Sequence, residues 1–180
     1  MREAPLEHTD SGVVPAGEGW FVLNARDARW WDRGPRGALC AFEGEGAAEF
    51  DQVGVNLFVL EPRQPMSMYH WEADQEDFLV LSGEAALIVE GQERPLRQWD
   101  FFHCPPNVSH TIVGAGDVPA VILAVGARIN TRGENWGRYP VDETAKRHDA
   151  SAERETADPR EAYARFPQRQ PTRYRDGWLP

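Results

Sequence analysis

The chain has 180 residues, a length typical of one domain that buries about 68–70% of the surface exposed by its unfolded form. A formal net charge of −10 argues against a general nucleic-acid binder, because phosphate binding needs clustered Lys and Arg. The sequence contains no apolar stretch long enough for a membrane span and no apolar signal-peptide core. Its two cysteines, Cys40 and Cys104, have neither disulfide-framework nor zinc-finger spacing, so we expect reduced thiols and a cytoplasmic location.

The first part of the chain predicts an arm followed by the start of a β-domain. Residues 1–19 are rich in Gly, Pro and acid and lack periodicity, so we expect a loose N-terminal arm there. A β-domain is predicted over residues 20–128, with first strands in FVLN and ALCAFEG. Since Trp30 and Trp31 cannot both face one side of a strand, we expect one in the core and the other against a surface or a neighbouring subunit.

The centre of the chain, residues 50–126, is predicted to form strand after strand. In DQVGVNLFVL, apolar residues recur at period two at Val53, Val55, Leu57 and Val59. Further short apolar segments follow, separated by Gly or Pro at fairly regular spacing, without a helical pattern between them. Such spacing is typical of an all-β sandwich or barrel.

Residues 129–180 predict a polar C-terminal extension. The run Asp158-Pro159-Arg160-Glu161 has the N-cap, first-turn proline and capping acid of a short helix near 159–166. The segment VDETAKRH is a second candidate helix. The tail PTRYRDGWLP has aromatic and apolar residues that are expected to pack against something: Tyr174, Trp178 and Leu179.

Two stretches contain candidate metal ligands. In YHWEADQEDF, His70 and Glu72 are two residues apart and share a face of an extended strand, while Glu76 can return to that side where the next strand begins. In WDFFHCPPNVSHTIVG, a Pro-Pro turn and Asn107, a residue that tolerates left-handed backbone, place His110 at a strand start. Nitrogen and oxygen ligands in this mixture suit iron, manganese, nickel, cobalt or zinc.

These stretches resemble the two motifs of the cupin superfamily. The first motif runs His, any residue, His, three or four residues, Glu, six residues, Gly, and its places correspond to His70, Glu72, Glu76 and Gly83. The second motif has Pro, Gly and His at places that correspond to Pro105, Asn107 and His110. The resemblance covers about residues 50–126 and is to short single-domain bacterial cupins with extended termini. It implies a cupin-type double-stranded β-helix, that is, a jelly-roll barrel, and a homodimer.

The resemblance also implies a divalent metal site. His70, Glu76 and His110 match three of the four family ligands, whereas Glu72 replaces the second histidine. The site is therefore either a set of two histidines and two carboxylates or a triad of two histidines and one carboxylate. In the second case Glu72 either orients a ligand or serves as a catalytic base.

The implied function is an enzyme that acts through a divalent metal on a small oxygen-bearing metabolite, in a dioxygenase-like or an isomerase- or epimerase-like reaction. The alternative is a non-catalytic cupin that binds a small molecule or uses the metal structurally. A transcription regulator is disfavoured because no segment reads as a helix-turn-helix.

Neighbouring polar residues receive more ordinary interpretations. We expect His103 to be a packed or surface histidine, because Phe102 and Cys104 face the other side of their strand. Cys104 is either a redox-sensitive thiol beside the site or, as for most free cysteines, a small buried residue. Asp74 and Asp77 are expected to be ordinary turn and edge charges.

Overall fold

The structure is a computed structural model that describes residues 2–130 and 135–180. Its strands, in chain order, are β1 (Leu6–Thr9), β2 (Gly12–Pro15), β3 (Trp30–Asp32), β4 (Ala38–Ala41), β5 (Val53–Leu60), β6 (Trp71–Glu72), β7 (Glu76–Ser82), β8 (Glu84–Val89), β9 (Gln92–Arg97), β10 (Phe101–Cys104), β11 (His110–Ala115), β12 (Ala120–Ala127), β13 (Gly137–Arg138) and β14 (Gln170–Thr172). Two one-turn α-helices, α1 (Glu143–Lys146) and α2 (Pro159–Ala162), and 3₁₀ turns at Gly34–Arg36 and Gly46–Ala48 complete the described elements.

Two antiparallel sheets face each other across the main core. The larger has the strand order β10-β7-β12-β5-β4-β3-β14, and the smaller has the order β11-β8-β9. Apolar side chains of both sheets interdigitate between them, including Leu60, Phe78 and Ile122 from the larger sheet and Leu87 and Ile112 from the smaller. The architecture confirms the all-β jelly-roll prediction, since alternate residues of each strand fill the space between two layers.

The outer face of the larger sheet is covered by the tail of the same chain. Trp30 is fully buried there, with its ring 4.9 Å from that of Trp178 and 6.2 Å from that of Tyr174. Leu179 packs on the same cluster, and β14 extends the sheet by pairing with β3. The predicted packing of the tail aromatics is confirmed, and their partner in the structure is this chain; the homodimer stays a prediction.

The prediction for the paired tryptophans is also confirmed. Trp31 is half-buried and lies between two guanidinium groups, with Arg29 at 4.7 Å and Arg169 at 4.4 Å from its ring. It therefore covers a surface while Trp30 fills the core.

Two expectations for the N-terminal part were wrong. The predicted loose arm contains the β1–β2 hairpin. Gly12 sits at the turn with φ +127°, where an added Cβ would come within 2.5 Å of the Ala28 carbonyl oxygen, so the hairpin docks there by close backbone approach. The segment FVLN forms no strand, and its Val22 is 81% exposed. The predicted domain boundaries stay predictions.

Both predicted helices are present. The Asp142 carboxylate accepts from the Ala145 amide at the start of α1, and the Asp158 carboxylate accepts from the Arg160 amide at the start of α2. The second helix ends at Ala162, earlier than predicted, because Tyr163 leaves helical geometry and its hydroxyl accepts from the Met68 amide. None of the helices in residues 2–130 and 135–180 is long and apolar enough to cross a membrane.

Candidate metal centre

The two motif stretches are joined by backbone hydrogen bonds. The His70 amide donates to the His110 carbonyl at 3.1 Å, and the His110 amide donates back to the His70 carbonyl at 2.8 Å. The Asn107 amide donates to the Glu72 carbonyl at 2.7 Å, and Asn107 has the left-handed backbone expected for it, with φ 66°. The motifs are therefore held in fixed register, with His110 at the start of β11 and Glu76 at the start of β7 as predicted.

The side chains of His70, Glu76 and His110 converge. One ligand atom from each lies within 4.8 Å of the other two. Glu76 Oε2 is 3.3 Å from His110 Nε2 and 3.8 Å from His70 Nε2. A cation with bonds of about 2.1 Å to its ligands separates neighbouring ligand atoms by about 3.0–3.4 Å, so the observed spacing is close to that of a metal site.

Hydrogen bonds set the orientation of both imidazoles. His70 Nδ1 lies 2.9 Å from the Met68 carbonyl oxygen, and His110 Nδ1 lies 3.1 Å from the Val108 carbonyl oxygen. Because a carbonyl oxygen only accepts, each Nδ1 donates, and in the neutral ring each Nε2 is left with a lone pair that faces the cluster. Metal-binding histidines in proteins are oriented in this way by a donor bond from the other ring nitrogen.

Two atoms of the cluster lack hydrogen-bond partners. Glu76 Oε2 and His110 Nε2 are both buried, and neither has a partner among the described residues. The rings of Phe78 and Phe102 lie 5.3 and 5.7 Å from that of His110, which makes this side of the cluster apolar. Unpartnered buried polar atoms are costly, and a cation between these two would satisfy both, so the residues fit a divalent metal.

Charge coupling inside the cluster is strong. Burial opposes ionisation of Glu76, but the His110 and His70 imidazoles outweigh it and lower the pKa of the carboxyl group. Burial likewise favours neutral His110, but Cys104 and Glu76 outweigh it and raise its pKa to about 10. The carboxylate of Glu76 and the two imidazoles therefore stabilise each other electrostatically inside the buried cluster.

Glu72 lies beside the cluster. Its Oε1 is 3.5 Å from His70 Nε2, and its side chain is 22% exposed. Its carboxylate lies outside the mutually close ligand set of His70, Glu76 and His110. Glu72 also lines the adjoining cavity, so it is placed to meet both a metal and a bound molecule.

The expectation for Asp74 was wrong. Asp74 is 5% exposed, and its carboxylate accepts from the Asn130 amide and from Asn130 Nδ2, both at 2.7 Å. The bond ties the turn before Glu76 to the segment that follows β12, and thereby fixes where Glu76 enters β7. Its partner is 56 residues away in sequence, which is why local pattern could not assign this role.

Other expectations near the site are confirmed. The His103 side chain is 51% exposed and pairs with Asp77 at 2.7 Å on the edge strand, away from the cluster. Cys104 is 2% exposed, with Sγ 3.2 Å from His110 Nδ1, so it is a small buried residue that also contacts a candidate ligand.

A cavity of about 430 Å³ opens beside the cluster. Several residues around it have no signal in the local sequence. Tyr139, brought to the site by the pairing of β13 with β6, lies behind the wall residue His70 and stacks on it with ring centroids 5.6 Å apart. Burial, Tyr163 and the nearby Glu72 raise the pKa of Tyr139, so its hydroxyl stays protonated. The cavity is also lined by four arginines that no local motif indicated: Arg33, Arg36, Arg128 and Arg169.

Comparison with known proteins places this site in a family. The family model for the cupin domain matches residues 56–126. A sugar phosphate isomerase from a cupin superfamily of Silicibacter pomeroyi is 30% identical over 58% of this chain and 62% of its own, with a TM-score of 0.43. The polyketide cyclase RemF of Streptomyces resistomycificus is 15% identical over 51% of this chain and 64% of its own, with a TM-score of 0.45.

A Klebsiella pneumoniae protein with a double-stranded β-helix domain is 23% identical over 49% of this chain and 75% of its own, with a TM-score of 0.43. The chain thus spans less than two thirds of the isomerase and of the cyclase. No curated protein matches the sequence. With both motifs in place on the jelly-roll sheets and the family model matched across them, residues 56–126 form a cupin domain.

Proposed function

We propose that this protein is a metal-dependent enzyme that acts on a small oxygen-bearing metabolite. The observation behind the proposal is the pair of buried, unpartnered atoms, Glu76 Oε2 and His110 Nε2, next to the inward-facing Nε2 of His70. A divalent transition metal held by these three residues would polarise a carbonyl or hydroxyl oxygen of the substrate. Iron, manganese, zinc, nickel and cobalt all suit the ligand set.

Each residue of the centre has a defined part in this proposal. The Met68 and Val108 carbonyls hold the two imidazoles in the tautomer that binds a cation, and Asp74 positions Glu76. The aromatic rings beside His110 exclude water from that side. Substrate would enter from the cavity, the side lined by His70, Glu72 and Glu76.

Two reaction classes are each favoured by one observation. Glu72 lines the cavity next to the ligands without joining the close set, which favours proton transfer with Glu72 as the base, as in an isomerase- or epimerase-like reaction. The set of two histidines and one carboxylate is that of non-haem iron oxygenases, which favours a dioxygenase-like reaction. A non-catalytic cupin that binds the same small molecule is the alternative.

Metal-loading followed by two readouts separates these possibilities. Protein reconstituted with Fe(II) or with Mn(II) would be given a panel of small keto acids, hydroxy acids and sugar phosphates. Oxygen uptake that requires a substrate and occurs with Fe(II) but not with Mn(II) indicates the oxygenase. Incorporation of solvent deuterium into a substrate with either metal indicates proton transfer. Stoichiometric metal with neither activity across the panel would favour the non-catalytic alternative.

Glu72→Gln and Asp77→Asn form a matched pair for the proton-transfer branch. Both remove one carboxylate of the same stretch, but Asp77 pairs with His103 at the sheet edge, outside the cavity lining. Loss of deuterium exchange in Glu72→Gln, with exchange kept in Asp77→Asn, is the expected result. Equal activity in the two variants would remove Glu72 from the mechanism.

A further inference from the structure

The cavity beside the metal centre is lined by an unusual number of arginine side chains. The protein as a whole carries 29 acidic and only 19 basic side chains, yet four arginines line this one cavity. Among residues 2–130 and 135–180, only two carboxylates line it, Glu72 and Glu76, and both lie at the candidate metal centre. The arginines are therefore not explained as a solvated basic surface.

Arg33 is the deepest of the four. It is 5% exposed, and its guanidinium lies 4.8 Å from the ring of Phe58. Its Nη1 donates to the Met66 carbonyl at 2.8 Å and its Nη2 to the Arg36 carbonyl, while Nε is buried and has no partner in the part of the chain that the structure describes. Within residues 2–130 and 135–180, no carboxylate forms a salt bridge with it.

Arg36 lies close to Arg33 and likewise forms no salt bridge with a carboxylate among the described residues. Its guanidinium is 4.5 Å from the ring of Tyr163 and 5.3 Å from that of Phe166, and its Nε is also buried without a partner among the described residues. Burial, and then the repulsion of Arg36, lower the pKa of Arg33 to about 9, which leaves it charged at neutral pH. Two like charges in a desolvated wall are costly unless an anion compensates them.

Arg128 lines the same cavity, and its charge is balanced by a carboxylate of the protein. Its Nη1 and Nη2 donate to the two carboxylate oxygens of Glu43 at 2.7 and 2.6 Å, and Nη1 also donates to the Phe50 carbonyl. This bidentate pair neutralises its charge within the protein. Arg33 and Arg36 have no such carboxylate in the described part of the chain, and neither has the exposed Arg169.

We infer that Arg33, Arg36 and Arg169 bind an oxyanion group of the substrate, either a carboxylate or a phosphate monoester, while the rest of the molecule reaches the metal centre. The part of this inference that concerns the metal centre rests on the proposed function. The part that concerns the three arginines rests only on the contacts of those residues. Guanidinium groups suit both oxyanions because their planar N–H donors match two oxygens at once.

The arginines and the metal centre open onto one cavity of about 430 Å³. Successive contacts lead from His70 to Arg36 through two aromatic rings: Tyr139 stacks 5.6 Å from His70, Tyr163 lies 5.6 Å from Tyr139, and Arg36 lies 4.5 Å from Tyr163. All three arginines and the candidate ligands His70 and Glu76 line the same cavity. One molecule with an anionic group at one end and a metal-binding oxygen at the other can therefore contact both.

Calorimetric titration of the full chain with inorganic phosphate and with malonate tests the inference. The protein would be titrated after treatment with a chelator, so that neither probe binds through a metal. We expect saturable binding of one equivalent of at least one probe. Tighter phosphate binding would assign a phosphate monoester, and tighter malonate binding a carboxylate; binding of neither at millimolar concentrations overturns the inference.

Variants locate the binding. Arg36→Gln and Arg169→Gln are expected to weaken the probe by about tenfold to a hundredfold, the effect of losing a hydrogen bond to a charged group. The control Arg94→Gln removes the same charge from the exposed strand β9 and should leave affinity unchanged. Since Arg33 is buried, Arg33→Lys is used there, with circular dichroism to confirm folding. Equal weakening by Arg94→Gln would show a nonspecific charge effect and overturn the inference.

Measuring metal uptake when the same chelator-treated protein is reconstituted with metal keeps the two proposals apart. Saturable anion binding in a protein that never takes up metal would defeat the proposed function and retain the anion site. One metal per chain without anion binding would defeat the anion site alone.

Discussion

His70 and His110 lie opposite each other in an antiparallel bridge, and each donates its backbone amide to the other's carbonyl oxygen. Their imidazole centroids are 5.0 Å apart as a result. Because main-chain bonds set this pairing, the spacing of the two side chains does not depend on a bound ion. The centre is therefore preorganised, and a cation would need little rearrangement to bind.

The first prediction concerns Glu72. Because its carboxylate lies outside the close ligand set, Glu72→Gln should still bind one metal per chain, with affinity reduced by no more than about a hundredfold. If Glu72 is the base, turnover should fall by about 10²–10⁴-fold. Competition with a chromophoric chelator measures the affinity. Complete loss of metal would instead make Glu72 a fourth ligand.

The second prediction concerns acid stability. Glu43 holds Arg128 through two short bonds. Burial opposes its ionisation, but the bonds from Arg128 and the Phe50 amide outweigh it and lower the pKa of Glu43 below its ordinary 4.5. The stabilisation that ionised Glu43 adds to the free energy of unfolding is therefore fully present above pH 4.5. It is lost as the pH falls through the lower pKa that Glu43 has in the folded protein.

Urea unfolding of Glu43→Gln checks this dependence. The variant should be about 1–2 kcal/mol less stable at pH 7, and the difference should shrink toward zero as the pH falls well below 4.5. Glu155→Gln is the control, since the pair with Arg138 is long, at 3.5 Å, and half-exposed on both sides. A destabilisation by Glu43→Gln that is the same at every pH would contradict the account.

Much of the site could be predicted from sequence because its information is local. The spacing of His70, Glu72 and Glu76 follows from strand alternation, and Asn107 before His110 follows from turn chemistry. The Asp158 cap of the second short helix was readable for the same reason. In each case the residues that decide the structure lie within a few positions of one another.

The remainder depends on distant parts of the chain meeting. Asp74 is buried because Asn130 reaches it, and Tyr139 stacks on His70 because β13 pairs with β6. Arg36 ends a 3₁₀ turn whose sequence, Gly-Pro-Arg, reads as an ordinary polar turn, and Arg33 directly precedes that turn. No local periodicity indicates that such residues face one cavity.

The third prediction concerns Trp99, which has φ 73° and is 66% exposed. A left-handed backbone costs a non-glycine residue about 1–2 kcal/mol, and glycine relieves this strain. Glycine in turn costs about 0.5–1 kcal/mol, because it loses more backbone entropy on folding. Trp99→Gly should therefore stabilise the protein by about 0.5–1 kcal/mol, seen as a higher melting temperature in calorimetry.

Asn107→Gly is the matched control for Trp99→Gly, because Asn107 also has a left-handed backbone, with φ 66°. It should raise the melting temperature by less, since asparagine tolerates this conformation. A lower melting temperature for Trp99→Gly would mean that the indole makes a stabilising contact, for example with another copy of the chain.

The fourth prediction concerns the thiols. Cys40 and Cys104 are 0% and 2% exposed, so a reagent in solution reaches neither sulfur atom. Burial also raises the pKa of Cys40 to about 12, so this thiol forms little thiolate at neutral pH. Ellman's reagent should label neither thiol in the folded protein within minutes and should label both after denaturation. Rapid labelling of Cys104 in the native protein would restore the redox-sensitive interpretation.

The most direct test of the metal centre is elemental analysis of the purified chain after reconstitution with Fe(II), Mn(II) or Zn(II). The account predicts one ion per chain in the wild type, and less than a tenth of that in His110→Ala and Glu76→Ala variants whose folding is confirmed by circular dichroism. Asp77→Asn should retain the full ion. A wild-type chain without stoichiometric metal, or a folded His110→Ala variant that keeps it, would contradict the account.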